Sequence, residues 1–403
     1  MFESKFPLRE QRSYDFIFLG AGCASLSIIM RMIRSGKFAE KKILLIDKEP
    51  KTKNDRTWCF WEKQDGFFEA IVHQKWDTIS FLSDSFSSDM NITPYQYKMI
   101  RGIDFYRYCF HEIEQQKNID IFYGEVTQAL VHKEGITIHI NGEMLNLDHA
   151  IIFNSILPKE TNVPGTIKLL QHFKGWVIET SQASFDPRKA IFMDFRVGQK
   201  DDTTFAYLLP LSKTKALVEY TLFSKEILED AMYETELKKY VENILQLKEY
   251  QVTEKEFGVI PMTNRKFSFY ENSYHYNIGT AGGQTKASSG FTFQFILKQS
   301  QFVVDSLLKG NSLQQIPSTP KRFRFYDNTL LHILYHRKLQ GKEIFSRIFA
   351  KNDPLHVLRF LDNESSLTDE LKIISTLPAL PFLKAVFKQL EIVKAPLGVW
   401  GLY

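Results

Sequence analysis

Tyr14-Asp15-Phe16-Ile17-Phe18-Leu19-Gly20-Ala21-Gly22-Cys23-Ala24-Ser25 is followed by an apolar run and then by Ile43-Leu44-Leu45-Ile46-Asp47. The pattern predicts a buried strand, a tight glycine turn, an amphipathic helix near 23–35 and a second parallel strand. Gly20 suits the strand-to-helix turn, and Gly22 has no Cβ to keep the backbone away from a pyrophosphate. The helix that begins there points its free N–H groups and positive dipole end at such an anion. Asp47 lies roughly 20 residues past the loop, where an acid accepts hydrogen bonds from the adenosine ribose. Ser25 replaces the usual third glycine and is small enough for helix and strand to approach. Gly20, Ala21, Gly22, Ser25 and Asp47 are therefore the expected binding residues for an ADP-bearing cofactor.

The 403 residues suffice for a large core and about two or three domains. The 51 basic and 47 acidic residues give a formal charge of +4. With no basic run interleaved with stacking aromatics, nucleic acid is not an expected partner. Aromatics are abundant, with 34 Phe and 17 Tyr; such residues fill large cores and also line sites for long apolar ligands. Cys23, Cys59 and Cys109 are widely spaced, without a CxxC pair, and read as reduced, packed thiols. His172 and His275 lack ligand spacing, and no metal site is expected. Met1–Pro7 has no apolar signal-peptide core, and no run of about 18 apolar residues occurs. A cytoplasmic location is expected.

The expected fold class is α/β: a Rossmann-like nucleotide-binding domain interleaved with a mixed or antiparallel-sheet substrate domain, and a helical C-terminal region. The nucleotide-binding parts are read at 14–80, 119–170 and 256–310. A helical, substrate-side insertion is read at 81–118, with a helix over Tyr97–Glu114. Asn141-Gly142 between two short strands predicts a hairpin. Residues 171–255 hold alternating strands and an amphipathic helix over Ile227–Leu247. Residues 311–403 read as helical.

Tyr276-Asn277-Ile278-Gly279-Thr280-Ala281-Gly282-Gly283 is a second strand-plus-glycine segment, followed by a predicted helix from about Gly290 to Leu308. Large two-domain flavoproteins commonly use such a late segment on the flavin side, often with an Asp near the ribityl phosphate. Thr280 stands here instead, offering a hydroxyl without charge, with the N–H groups of Ala281 to Gly283 as expected donors.

Four further strings add to these: Asn54-Asp55-Arg56-Thr57-Trp58-Cys59-Phe60-Trp61, Phe192-Met193-Asp194-Phe195-Arg196, Tyr207–Ser212 leading into Ala216-Leu217-Val218-Glu219-Tyr220-Thr221, and Gly279–Phe293. In this order, from about residue 14 to 300, they resemble the FAD-dependent lycopene cyclase family, its bacterial β-cyclase branch in particular. The resemblance implies a redox-neutral isomerisation. The linear ψ-end of lycopene or a related carotenoid is protonated, a neighbouring double bond attacks the carbocation, and loss of a proton leaves a β-ionone ring. It also implies FAD in its reduced form, with NADPH as the electron donor.

Glu219 matches the family glutamate that protonates the substrate or steadies the cation. Its own context agrees: an acid in an otherwise apolar strand, sharing a face with Leu217 and Thr221. A carboxyl buried in an apolar cavity stays protonated at neutral pH, as a general acid must; a solvent-facing glutamate is the alternative. Asp194 and Arg196 share a face by period-two spacing and are read either as catalytic or as a structural pair. Arg56 is read as meeting the flavin pyrophosphate or a nicotinamide phosphate, or as fixing its loop. Glu62 is read mainly as a surface acid, and Trp58, Phe60 and Trp61 mainly as core. The largely apolar Leu371–Leu390, broken by Pro378 and Pro381, is too short to span a bilayer. Either it packs on the core, or it lies in the interface and gives peripheral contact with the inner face of the cytoplasmic membrane. An FAD-dependent monooxygenase or geranylgeranyl-reductase-like enzyme, and a non-enzymatic prenyl-lipid carrier, are the competing readings.

Overall fold

The computed structural model describes residues 13–157, 165–199, 202–315 and 319–394. The opening stretch folds as its periodicity dictates: strand Phe16–Leu19, helix Cys23–Ser35 and strand Ile43–Asp47. These join a six-stranded sheet in the order 270–272, 275–277, 151–154, 16–19, 43–47, 119–123. All neighbours are parallel except the edge strand Tyr270–Asn272. Both faces are covered, which is why these strands are continuous apolar runs. Phe16, Phe18, Leu45 and Phe153 pack on the side of helices Cys23–Ser35 and Phe293–Leu308. Ile17, Leu19, Leu44 and Ile152 face a three-stranded antiparallel sheet of residues 126–131, 136–140 and 143–147. Asn141 and Gly142 form its tight turn, both at positive φ (53° and 85°), as a two-residue hairpin requires.

A seven-stranded sheet forms the second layer system, in the order 251–263, 168–179, 215–224, 203–210, 189–194, 78–82, 87–91. It draws in Thr78–Leu82 and Ser87–Asn91 from the stretch before residue 118, and extends past 255 to Thr263. Alternation along its inner strands serves two cores. Phe205, Tyr207, Leu209, Leu217 and Phe223 point one way, and Ala206, Leu208, Val218 and Tyr220 the other. The second face is covered by helix Asp230–Lys239 and a wide π turn, Tyr240–Ile244, rather than one helix over 227–247.

Residues 96–101 are a strand, not the start of a helix; the helix is Gly102–Glu114. The strand lies between Thr57–Glu62 and Gln74–Trp76 in a small antiparallel sheet. There the buried Lys98 ammonium meets Glu62 at 3.0 Å and also Glu69. Sheet pairing and this ion cluster override the local helical spacing. Glu62 is thereby committed to Lys98.

The C-terminal region is helical, with helices Lys321–Tyr335, Gly341–Lys351, Pro354–Leu361, Leu367–Ser375 and Ala379–Lys394. Asp353 and Ser366 cap two of them by accepting the N–H groups of Leu355 and Asp369, which satisfies otherwise unpaired donors. Ile344, Phe345, Phe349, Leu358 and Ile373 join the core that contains Phe205 and Tyr207. No helix of the described residues is long and apolar enough to cross a membrane.

Candidate active site

Gly20 has φ +92°, and a Cβ there would run into the Ser155 hydroxyl, so only glycine fits the turn. Gly22 is the N-cap of the first helix and supplies no side chain to its N–H groups. A Cβ on Gly22 would meet nothing within 4 Å. The loop thus leaves open space in front of a helix N-terminus, the cradle an anionic pyrophosphate needs. Asp47 is buried, accepting the Ala21 N–H at 2.6 Å with one oxygen, and Glu49 N–H and Lys51 Nζ at 3.2 and 2.8 Å with the other. A carboxylate has about four acceptor sites, so one remains for a ribose hydroxyl. Ser25 is fully buried and its hydroxyl has no partner. Burial pushes the Cys23 thiol up to about 12, which makes it an unreactive packing group.

The late glycine segment packs against this loop: a Cβ on Gly279 would sit 2.8 Å from the Ala24 Cβ. Gly279 N–H donates to the buried Gln299 side chain at 3.0 Å. The Gly282 and Gly283 N–H groups, expected as cofactor donors, are instead spent on turn bonds to the carbonyls of Gly279 and Thr280. Ala281 is buried beside them. Thr280 accepts from Thr285, which accepts from Thr292 in turn. This hydroxyl chain leads to the N-terminus of helix Phe293–Leu308, whose N-cap is Thr292.

A cavity of about 430 Å³ lies between that helix end and the seven-stranded sheet, within the usual size range of small-ligand sites. Arg56, Trp58, Thr280 and residues 289–293 line one side; Tyr207, Leu209, Phe173 and Glu219 line the other. Two buried polar atoms on its lining residues, Gln171 Oε1 and Ser289 Oγ, have no partner. Together with the open cradle at Gly22, they fit a bound polar cofactor. Arg56 pairs with Asp55 at 2.7 Å and is half exposed.

Glu219 is 8% exposed. Burial pushes its carboxyl well above the ordinary carboxylate range, and the neighbouring Glu256 carboxyl adds to the effect. Glu256 is equally buried and accepts a 2.7 Å hydrogen bond from Thr57 Oγ1. The two acids reach each other because both pair in register with Gly175 on the strand between them. Glu256 was not among the sequence candidates. Its run, Glu254-Lys255-Glu256, reads as a solvated face, and only the register across Gly175 reveals it.

Asp194 and Arg196 are held elsewhere. Asp194 is fully buried, accepting from Arg196 Nε and Nη2 at 2.9 and 2.6 Å and from the Tyr240 hydroxyl at 2.8 Å. Asp194 pairs with Ala206, whose side chain lies on the face opposite Tyr207 and Glu219. Arg56, Thr280 and Glu219 thus line one cavity, Gly279 packs on the glycine loop to which Asp47 is bonded, and Asp194 and Arg196 are not among the lining residues. Buried His172 bonds Ser224 and Tyr233, and burial lowers it to about 4, a neutral structural histidine. Among the described residues no group of three or more His, Cys, Asp or Glu side chains is placed to hold a metal.

Comparison with known proteins agrees with the fold. Among solved structures, a geranylgeranyl bacteriochlorophyll reductase-like protein from Thermoplasma acidophilum is similar at a TM-score of 0.61 and 12% identity, over 95% of this chain and 100% of that one. A flavoprotein/dehydrogenase from Cytophaga hutchinsonii gives 0.59 and 13% over 94% and 100%, and p-nitrophenol 4-monooxygenase from Pseudomonas putida gives 0.58 and 10% over 95% and 99%. At these identities they share the fold. The lycopene β-cyclase of Pantoea ananas is 22% identical over 93% of this chain and 98% of its own length. The family model described as lycopene cyclase protein matches residues 15–387. The chain belongs to the lycopene cyclase family.

Proposed function

We propose that this protein is a lycopene β-cyclase, an isomerase that closes the ψ-ends of lycopene, or a related linear carotenoid, into β-ionone rings. The observation that carries the reading is a buried Glu219, its carboxyl pushed by burial well above the ordinary carboxylate range, on the wall of a cavity that Thr280 of the glycine segment also lines. The glycine loop, helix Cys23–Ser35 and Asp47 hold the ADP half of FAD, and Thr280 with residues 289–293 borders the flavin half. FAD held there in its reduced form, with NADPH as its electron donor, would supply negative charge to steady a developing cation. Glu219 delivers its proton to the end-group double bond. Tyr207, Leu209, Phe173 and Trp58 exclude water, which would otherwise trap the cation as an alcohol. Asp194 and Arg196 act as a brace for the sheet that carries Glu219.

The test is chromatography and mass spectrometry of what the purified, flavin-loaded protein makes from lycopene in vesicles. Ring closure yields γ- and β-carotene of unchanged mass. A gain of oxygen or hydrogen would support the monooxygenase or reductase reading instead.

The substrate resides in bilayers, and the C-terminal helices carry the surface suited to reach it. Leu371, Leu380, Leu383 and Phe387 are 66%, 72%, 51% and 63% exposed, with Lys372, Lys384 and Lys388 exposed among them. Pro381 falls in the first turn of helix Ala379–Lys394, where its missing N–H costs nothing. This face is assigned to the cytoplasmic surface of the membrane, apolar side chains inserted and lysines at the headgroups. Leu380→Glu with Phe387→Glu is expected to weaken vesicle binding at least about tenfold with the fold intact. Unchanged co-sedimentation with anionic vesicles would remove this face from the account.

A further inference from the structure

We propose that Glu219 and Glu256 form a carboxyl pair that holds one proton between them across Gly175, with Glu256 as the positioning residue that keeps Glu219 loaded. Its part in ring closure rests on the cyclase reading; the pair itself does not.

The geometry starts from a glycine. Strand Lys168–Glu179 runs between Lys215–Ser224 and Gln251–Thr263, and Gly175 faces Glu219 on one side and Glu256 on the other. Residues two strands apart are separated by roughly 10 Å of backbone, and a side chain between them would normally keep them apart. A Cβ at Gly175 would sit 2.8 Å from Glu256 Cγ and 3.2 Å from Glu219 Cγ. The empty position is what lets the two side chains lean together.

The hydrogen-bond pattern points to one proton in the pair. Glu256 Oε2 takes the Thr57 hydroxyl, while Glu256 Oε1 is buried without a donor. Two ionised carboxylates would leave that oxygen unpaired and place like charges in contact in a dry site. A proton on Glu219 supplies the missing donor and removes the repulsion. The other groups facing Glu219 add no cation: Tyr207 lies opposite on the adjacent strand, with Cys59 and Tyr97 nearby, all pushed up and held neutral by burial. Lys255 serves the other face, bonding Glu234, and Arg56 is engaged by Asp55.

In the reaction, the Glu219 O–H bond breaks as the terminal double bond forms a C–H bond. The neighbouring double bond closes the ring, and the ring C–H that is then lost returns its proton to the pair. One proton leaves and one comes back, with no oxidant or reductant consumed.

Infrared pH titration of the full-length, flavin-loaded protein reads the pair directly. The wild-type minus Glu219→Gln difference spectrum is expected to show the carbonyl band of a protonated buried carboxyl at neutral pH, which separates it from the buried Asp362 carboxyl, pushed up to about 7. Glu256→Gln should lower the midpoint at which the band disappears by about one pH unit or more. Thr57→Val, which removes the donor to Glu256 without emptying the core, should raise it. The alkaline limb of the cyclisation pH profile should move in the same directions. No protonated-carboxyl band in that difference at neutral pH, or a midpoint that neither variant moves, overturns the pair. Shifted bands without any ring formation support the pair and overturn the cyclase reading alone.

Discussion

Glu219→Gln is expected to lower ring closure by about 10²–10⁴-fold, the span of general acid catalysis, while flavin content stays at the wild-type level. Gln keeps the shape of the side chain and can donate a hydrogen bond to Glu256, but it has no proton to give to carbon. The residue pairs with Gly175 and Tyr207 in the interior of a continuous ladder, so the backbone has no reason to move. The variant also has a stability signature. Because the folded carboxyl titrates well above its ordinary value of 4.5, the native state holds more protons than the unfolded chain between those two points. Stability from this group therefore falls as pH rises through that window. Glu219→Gln removes the slope and should be at least as stable as wild type at neutral pH and above, measured by thermal unfolding across pH. Full cyclase activity in this variant would take Glu219 out of the mechanism.

Asp194→Ala is expected to have the largest effect on stability and little on chemistry. It strips the acceptor from two guanidinium N–H groups and the backbone N–H of Arg196 and from the Tyr240 hydroxyl, on the sheet face away from the cavity. Breaking a buried ion pair from one side costs about 3–5 kcal/mol. The low end applies here, because the Arg196 side chain is 38% exposed and regains water. Denaturant midpoints should fall without a change in slope, and the rate per flavin-loaded molecule should stay within about threefold of wild type. A large loss of rate with intact stability would return Asp194 to the reaction centre.

The contrast between these two acids explains how far the sequence could be read. The Gly20–Gly22 loop, Asp47 and the first two strands are local in sequence, and their periodicity specifies them. Glu219 stood out as an acid in an apolar strand. Spacing left Asp194 and Arg196 readable either as catalytic or as a structural pair, because which face of the sheet they occupy depends on pairing with Ala206, a register that no local pattern encodes. Glu256 hid for the complementary reason: alternating charges at 254–256 mimic a solvated strand. The strand at 96–101 and the two at 78–91 were missed because they are stabilised by distant partners, Lys98 with Glu62 and Thr78–Leu82 with Lys189–Asp194. The spent N–H groups of Gly282 and Gly283 likewise follow from a turn that only the fold defines.

The same fold serves proteins described as reductase-like and as a monooxygenase, so the scaffold does not choose the reaction. In this chain the choice is attributed to a loaded acid facing the flavin side of one cavity. The claim that electrons do not reach the product is the central one, and it has a direct measure. Purified protein is supplied with lycopene in vesicles and a limiting, known amount of reductant under anaerobic conditions, and rings formed are counted against reducing equivalents consumed. Many rings per equivalent, at unchanged product mass, is the predicted result. One equivalent consumed for each product molecule would contradict it.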